Sequence, residues 1–372
     1  MIGKRRDTAA MTDFAQPRDD GTAFPAGLPA CIDAPCAWHG PAMAARTDWI
    51  DTLSAGELDE LARASEPWMH ERADLATLTR EQFALPTLAA RLQLVCRELL
   101  EGRGFALLRG VPVAQWGRRR SAIAFCGIGA HLGRALSQNA HGHVLGHVRD
   151  VGLSSADPNV RIYQTHERQT FHTDSADVVG LLCLQTAKRG GLSALVSSTT
   201  LYNELRAHRP ELAARLFEPL ATDRRGEVPT GAQPYFVIPV FNWFAGRLSA
   251  IYQRQYIDSA QRFGSAPRLD AQQIEALDLL DALANDPAQH FTMALEVGDL
   301  QFVHNHVLLH DRTAFEDGPE PARRRHLLRL WLAPDGARPL PPVFAQRYGS
   351  VTPGARGGVP SADGVLRAPL DG

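Results

Sequence analysis

The chain has 372 residues, 44% of them hydrophobic, with 39 lysines and arginines against 41 aspartates and glutamates. It can bury a substantial core, and a formal charge of −2 gives no electrostatic reason to expect a nucleic-acid partner. No stretch approaches the roughly 20 apolar residues that span a bilayer, and five scattered cysteines without a CxxC pair argue against a disulfide framework or a cysteine zinc site, so a soluble protein of a reducing, cytoplasmic compartment is expected.

Residues 1 to about 50 are rich in Pro, Ala, Gly and Asp and read as a partly ordered arm. Their early positive charge is not followed by an apolar run, unlike a secretory signal. A helical part, 51–103, comes next. Ser54 and Glu57 have capping-box spacing, with Leu58, Leu61 and Ala62 at helical intervals. Leu85 to Leu100 repeats the pattern and stops near Gly102 and Gly104. From Phe105 the texture changes to short apolar runs bounded by turn residues: FALLRGVPV, VLGHV, RIYQT, VVGLLCLQTA, SALVSS, YFVIPVF, LSAIYQ, HFTMALEV, LQFVHN and HLLRLWLA. Many short strands separated by turns predict a sandwich or jelly roll. Helical patterns interrupt them at Arg119 to Leu136, Thr199 to Leu216 and Ala271 to Ala284, the last with Ile274, Leu277, Leu280 and Leu283 on one side. The expected class is mainly β with flanking helices. One domain covers 51–372, with its core at about 104–335 and a C-terminal extension at 336–372.

The densest chemical signal is FHTDSAD, in which His172 and Asp174 are one residue apart. On a strand, residues i and i+2 point the same way and can grip one ion together. Two imidazoles and one carboxylate leave about three positions open on a metal, the arrangement of non-haem iron(II) oxygenases. The run GDLQFVHNHVLLHDR offers His304, His306 and His310 as the second imidazole, and the residues alone leave that choice open. In RRHLLRLWL, Arg325 and Arg329 lie four apart and share a strand face, where guanidinium can meet a carboxylate bidentately. A second histidine cluster, His141, His143 and His147, raises a rival cupin-type site, but no glutamate follows at the expected interval. Asp177 reads as a turn or hydrogen-bonding aspartate, and Arg312 as an ion-pair partner or co-substrate contact. Gln138, Asn139 and Gln164 are candidate pocket residues, whereas Phe171 and Trp331 read as core.

The segments GFALLRGVPV, FHTDSAD, the GGLS turn, GDLQF with LHDRTAF, and RRHLLRLWL resemble the taurine dioxygenase and clavaminate synthase-like family of Fe(II)/2-oxoglutarate-dependent dioxygenases, over roughly Gly104 to Leu332. The resemblance implies a double-stranded β-helix core with Fe(II) held by His172, Asp174 and His310. It implies 2-oxoglutarate as co-substrate, its far carboxylate anchored by Arg325 with help from Ser193, and Arg329 meeting an anionic group of the substrate. His304 stands where the family usually has asparagine. Oxidative decarboxylation to succinate and carbon dioxide, coupled to hydrogen abstraction from a small anionic or amino-acid-like molecule by O2 chemistry, is the implied reaction, with hydroxylation as its default outcome. A cupin-type non-oxidative metalloenzyme and a catalytically silent binding protein on the same fold are the readings from other classes. A homo-oligomer is compatible with all three.

Overall fold

In the computed structural model, which describes residues 27–70, 72–155 and 160–370, side-chain alternation along the strands decides the layering. In strand Phe105–Arg109, Ala106 and Leu108 join a cluster with helix residues such as Leu92 and Phe125, whereas Phe105 and Leu107 face the opposite way. Strand His326–Ala333 divides likewise, Leu328, Leu330 and Leu332 going to the helices and Leu327 and Trp331 to the interior. An apolar surface on both faces requires cover on both.

Seven strands form the larger sheet, in the order Ile50–Thr52, Phe105–Arg109, Leu300–His304, Val178–Gln185, His326–Ala333 and Arg134–Leu136, with Leu145–Val148 also paired to His326–Ala333. The smaller sheet runs His290–Met293, Ser193–Ser197, Leu308–Arg312, Gln169–His172. All pairs in the two sheets are antiparallel except the first of the larger one. Phe105, Val179, Leu195, Phe291 and Leu308 fill the space between the sheets. Helices Leu88–Leu100 and Val113–Leu132 cover the larger sheet, and Ser198–His208, Pro210–Arg215 and Ala271–Asn285 cover the smaller one. This is the jelly roll with flanking helices that the strand pattern predicts, in the form of the double-stranded β-helix that the resemblance implies.

The expected capping box forms: Ser54 accepts from Glu57 N and Glu57 accepts from Ser54 N (2.8 Å) at the start of helix Ala55–Ser65. Other boundaries differ. The helix expected to reach Leu136 stops at Leu132, and Arg134–Leu136 instead pairs with Trp331–Ala333. A Cβ at Gly133 would lie 2.7 Å from Pro334 N, so the chain crosses there only as glycine. Pro210 splits Thr199 to Leu216 into two helices, since it has no N–H to continue the first. RIYQT is no strand; Ile162–Gln164 is a 3₁₀ turn. Helix Ala271–Asn285 buries Ala276, Leu277, Leu280 and Ala284 and leaves Ile274 exposed, a face rotated from the expected one.

Residues 1–26 of the expected arm lie outside the described residues. From residue 27 onward the chain is tied to helix Ser198–His208, through Ile32 N donating to Asn203 Oδ1 (2.9 Å) and Thr200 Oγ1 donating to Trp38 O (2.9 Å). The C-terminal extension is tied deeper still. Arg356, 1% exposed, donates from Nε and Nη2 to Asp177 (2.7–3.1 Å), whose other partner is His306 Nε2 (2.8 Å). Arg356→Met should therefore lower the urea stability by about 3–5 kcal/mol by stranding a buried carboxylate. Asp177→Asn in the Arg356→Met background should recover part of that loss, and additive effects in the double variant would contradict the pairing.

Candidate metal centre and substrate cleft

His172 ends strand Gln169–His172 and lies directly across from His310 on strand Leu308–Arg312. Cross-strand neighbours on one face approach closely, and the two imidazole centroids are 4.1 Å apart. Asp174 follows two residues after His172, where the chain leaves the smaller sheet for the larger, and its Oδ2 is 3.9 Å from His310 Nε2. One ligand atom from each of the three lies within 4.8 Å of the others, and this is the only such group of His, Cys, Asp or Glu among the described residues.

The competing histidines are accounted for. The run from His304 to His310 is not one strand: Leu300–His304 belongs to the larger sheet, Leu308–Arg312 to the smaller, and a turn joins them. His306 thereby pairs with Asp177, and His304 is fully buried outside the ligand group. His147 meets His326 (2.8 Å), and His143 lies beside Asn139 on a turn, so the cupin-type cluster gathers no metal site.

Several neighbours hold the ligands in place. Trp331 Nε1 donates to Asp174 Oδ2 (2.8 Å), and Arg329 Nη1 lies 3.4 Å from the same oxygen. Asn305 Oδ1 accepts from Asp174 N (3.1 Å) while its Nδ2 donates to Ala176 O (2.9 Å), clamping the turn. His172 Nδ1 donates to Thr170 O (2.8 Å), which presents Nε2 as the ligand atom. Gln169 Nε2 donates to that Nε2 (2.8 Å), so Gln169 is the side chain that gives way to a metal. Burial, with His172 alongside, pushes His310 down to about 3. Burial would raise Asp174, but Arg329, His310 and His172 outweigh it and hold the carboxyl below its usual range. Two neutral imidazoles and one carboxylate suit a divalent iron with open positions.

Two further arginines are buried with unpartnered donors. Arg325 is buried and its Nη1 has no partner; Arg312 is buried, and its Nε and Nη1 have none either. Burial pushes them down to about 10 and about 9. Both guanidinium groups lie against the Phe315 ring, at 5.1 and 4.9 Å. Gly191, in the left-handed conformation (φ 69°), keeps the space open, since a Cβ there would meet Arg325 Nε at 2.8 Å. Ser193, directly across from Arg312, donates to Gln301 Oε1 on the facing sheet (2.9 Å). Buried donors without acceptors are costly, and a carboxylate would satisfy them.

The cleft over Asp174 is lined by Gln138, Arg161, Tyr163, Gln169, Arg329 and Trp331, among others. Gln138 holds Arg329: its Nε2 donates to Arg329 O and Val144 O (2.8 Å each), and its Oε1 accepts from Arg329 Nε (2.7 Å). Arg329 also stacks on Tyr163 and Trp331, at 4.6 and 5.0 Å. Gln164 accepts from Arg161 N (3.4 Å), and Asn139 accepts from His141 N (3.0 Å); both sit in turns beyond the cleft lining. Trp331, Asn305 and Gln169 are site residues that the sequence reading missed. Strand period supplied a signal for Trp331, two residues from Arg329; none pointed to Asn305.

The family model for taurine catabolism dioxygenase TauD, TfdA family, matches residues 71–331. The chain belongs to that dioxygenase family. It is 33% identical over 309 residues to FR-33289 synthase of Streptomyces rubellomurinus, covering 82% of this chain and 91% of the relative. It is 31% identical to the taurine hydroxylase-like protein SAT17 of Stachybotrys chartarum, covering 79% and 77%. Among solved structures, an asparagine oxygenase complexed with Fe(II), hydroxyasparagine and succinate superposes with a TM-score of 0.61 at 19% identity, covering 76% of this chain and 93% of that one. The non-haem iron oxygenase OrfP with Fe and α-ketoglutaric acid gives 0.57 at 17%, over 76% and 93%. The dioxygenase has no helix among its described residues long and apolar enough to cross a membrane.

Burial lowers His172, His304, His306, His310 and His326 together. A depressed folded value means that their contribution to stability is complete above the unfolded value of about 6.5 and is lost as pH falls toward the folded values. The metal-free dioxygenase should lose urea stability between pH 7 and 5, by up to about 1.4 kcal/mol per pH unit for each histidine that protonates only on unfolding. A midpoint that is level or rising on acidification would contradict these buried neutral rings.

Proposed function

We propose that the chain oxidises, by hydroxylation, an unactivated C–H bond of a small anionic or amino-acid-like molecule, consuming O2 and converting 2-oxoglutarate to succinate and carbon dioxide. The observation that carries this reading is the pairing of the His172, Asp174 and His310 group with the unsatisfied guanidinium donors of Arg325 and Arg312. In this reading His172, Asp174 and His310 hold Fe(II), which when bound supplies the oxygen chemistry. Arg325 anchors the distal carboxylate of 2-oxoglutarate, Arg312 lies beside it, and Ser193 assists by turning its hydroxyl from Gln301. The protein's own work is to hold both reactants and exclude water. Trp331 and Asn305 fix the Asp174 carboxylate, and Gln138 fixes Arg329 toward the substrate, while Gln164 acts from the adjoining turn.

An anionic or amino-acid-like substrate is supported by Arg329 in the cleft wall and by the names of relatives and neighbours. A Streptomyces relative, 30% identical over 177 residues, is a uridine-5'-phosphate dioxygenase, and the asparagine oxygenase acts in the amino-acid class. All five cysteines are free, which supports a cytoplasmic location. The carboxylate ligand is retained at Asp174, which favours hydroxylation over a reaction that needs a ligand position vacated.

The test is succinate formation with Fe(II), ascorbate and 2-oxoglutarate across a panel of amino acids, their derivatives and small phosphorylated or carboxylated molecules. One class should raise succinate release well above the uncoupled background, with a hydroxylated product of mass +16 Da in equal amount, about one oxygen atom per turnover. His172→Ala and Asp174→Ala should reduce this to background. Undiminished turnover in either variant would overturn the ligand assignment.

A further inference from the structure

The cleft has a second wall, built from elements other than those that carry the ligand group, with charges that the proposed reaction does not use. The turn after strand Pro219–Asp223 supplies Arg224, and the short helix Ala345–Tyr348 supplies Arg347; both line the cleft with Asp174 and Arg329. Arg224 is 8% exposed. Its Nε donates to Gln233 O (3.1 Å) and its Nη2 to Gln346 O, beside Arg347, and its guanidinium lies 5.5 Å from the Phe236 ring. Arg347 Nη1 donates to Gly358 O (3.0 Å). Their hydrogen bonds go to backbone carbonyls, and neither forms an ion pair with a carboxylate among the described residues.

The acids of the same cleft are already committed. Glu227 pairs with Arg161 (2.6 Å) and Asp223 with Arg262 (3.1 Å), while Asp174 belongs to the metal group. Two positive charges are therefore left over. Burial and then Arg347 push Arg224 down to about 10; burial also lowers Arg347, against the pull of Glu227 and with Arg161 adding to it. The backbone that turns Arg224 inward is itself strained. Arg225 sits in the left-handed region (φ 53°), its N–H donating to Asp223 Oδ1 (2.8 Å). A conformation of this kind persists where the surroundings over-determine it. Guanidinium groups that face one cleft without a carboxylate paired to either favour an anion there.

We propose that Arg224 and Arg347 form a recognition subsite for a tetrahedral, doubly charged oxyanion on the organic substrate, a phosphate-like group held at this second wall of the cleft. Two guanidinium groups from separate elements can each meet two oxygens of such a group, and two surplus charges match a dianion where a carboxylate would leave one over. Anchoring that end leaves the carbon chain of the substrate directed along the cleft toward Asp174 and its partners, with Arg329 as an intermediate contact. The subsite rests on the cleft being the substrate cleft of the dioxygenase.

The test uses the full chain loaded anaerobically with Fe(II) and 2-oxoglutarate, with calorimetric titration of methyl phosphate at slightly alkaline pH, where the probe is doubly charged. Methyl sulfate, of similar shape but one charge, and acetate are the comparison arms. The wild-type protein should bind methyl phosphate at least tenfold more tightly than either comparison. Arg224→Gln and Arg347→Gln should each weaken it at least tenfold, and Arg224→Lys and Arg347→Lys should recover part of the loss. The visible charge-transfer band of the loaded centre should be the same in all five proteins, which separates a lost subsite from a lost fold. Equal binding of the three probes, or methyl phosphate binding unchanged in both glutamine variants, would overturn the subsite. A wild-type protein that binds methyl phosphate as described but shows no band would overturn the dioxygenase reading and, with it, the role of the subsite in substrate recognition.

Discussion

Charge placed between two apolar sheets has to be matched by something, and that constraint organises the whole interior of this dioxygenase. The inner faces carry His172, His310, Arg312 and Ser193 on the smaller sheet and Arg329 and Trp331 on the larger, with Arg325 just before its strand. In a medium that solvates ions poorly, each charge needs a partner or a ligand. Asp177 has Arg356, Asp299 has Arg109 (2.8 Å), and Asp311 has Arg168 (2.6 Å). Arg224 and Arg347 in the cleft over Asp174, and Arg312 and Arg325 against Phe315, have no such partner among the described residues, and chemistry is assigned around them.

The same constraint explains the strand connections. The turn between Leu300–His304 and Leu308–Arg312 carries the chain from one sheet to the other, and Asn305 in that turn holds the second crossing, at Asp174 to Asp177, by hydrogen bonds from both ends of its side chain. Two crossings pinned to one another place the carboxylate ligand at a fixed distance from both imidazoles. Arg356 then locks the end of the second crossing from the C-terminal extension, so a segment remote in sequence stabilises the geometry of the ligand turn.

What the sequence disclosed was what depends on short-range periodicity. The capping box at Ser54 and the gathering of His172 with Asp174 follow from local spacing, although the strand ends at His172 with Asp174 in the connection beyond it, and Arg325 lies one residue before the strand that carries Arg329 rather than on it. Where tertiary contact overrides spacing, local reading fails: strand pairing claims Arg134–Leu136 from a helical pattern, and packing against the smaller sheet rotates the buried face of Ala271–Asn285 away from Ile274. The histidine run could not be resolved by alternation, because a change of sheet lies inside it. Partners such as Arg356 for Asp177, 179 residues apart, or Gln301 for Ser193, 108 apart, leave no trace in local sequence. Arg224 and Arg347 are equally invisible, since their significance is the absence of acids that only the folded cleft defines.

The central claim is that one interior binds a chelating 2-oxo acid at the His172, Asp174 and His310 group and its far carboxylate at Arg325. The most direct measurement compares 2-oxoglutarate with 2-oxobutyrate, which lacks the far carboxylate, in anaerobic titrations of the Fe(II) protein followed by the visible charge-transfer band. The account predicts half-saturation by 2-oxoglutarate at a concentration at least tenfold lower, a difference of about 1.4 kcal/mol or more as expected of a charge-assisted contact, and collapse of that difference in Arg325→Gln. Equal titration of the two acids by the wild-type protein, or an undiminished preference in Arg325→Gln, would contradict it.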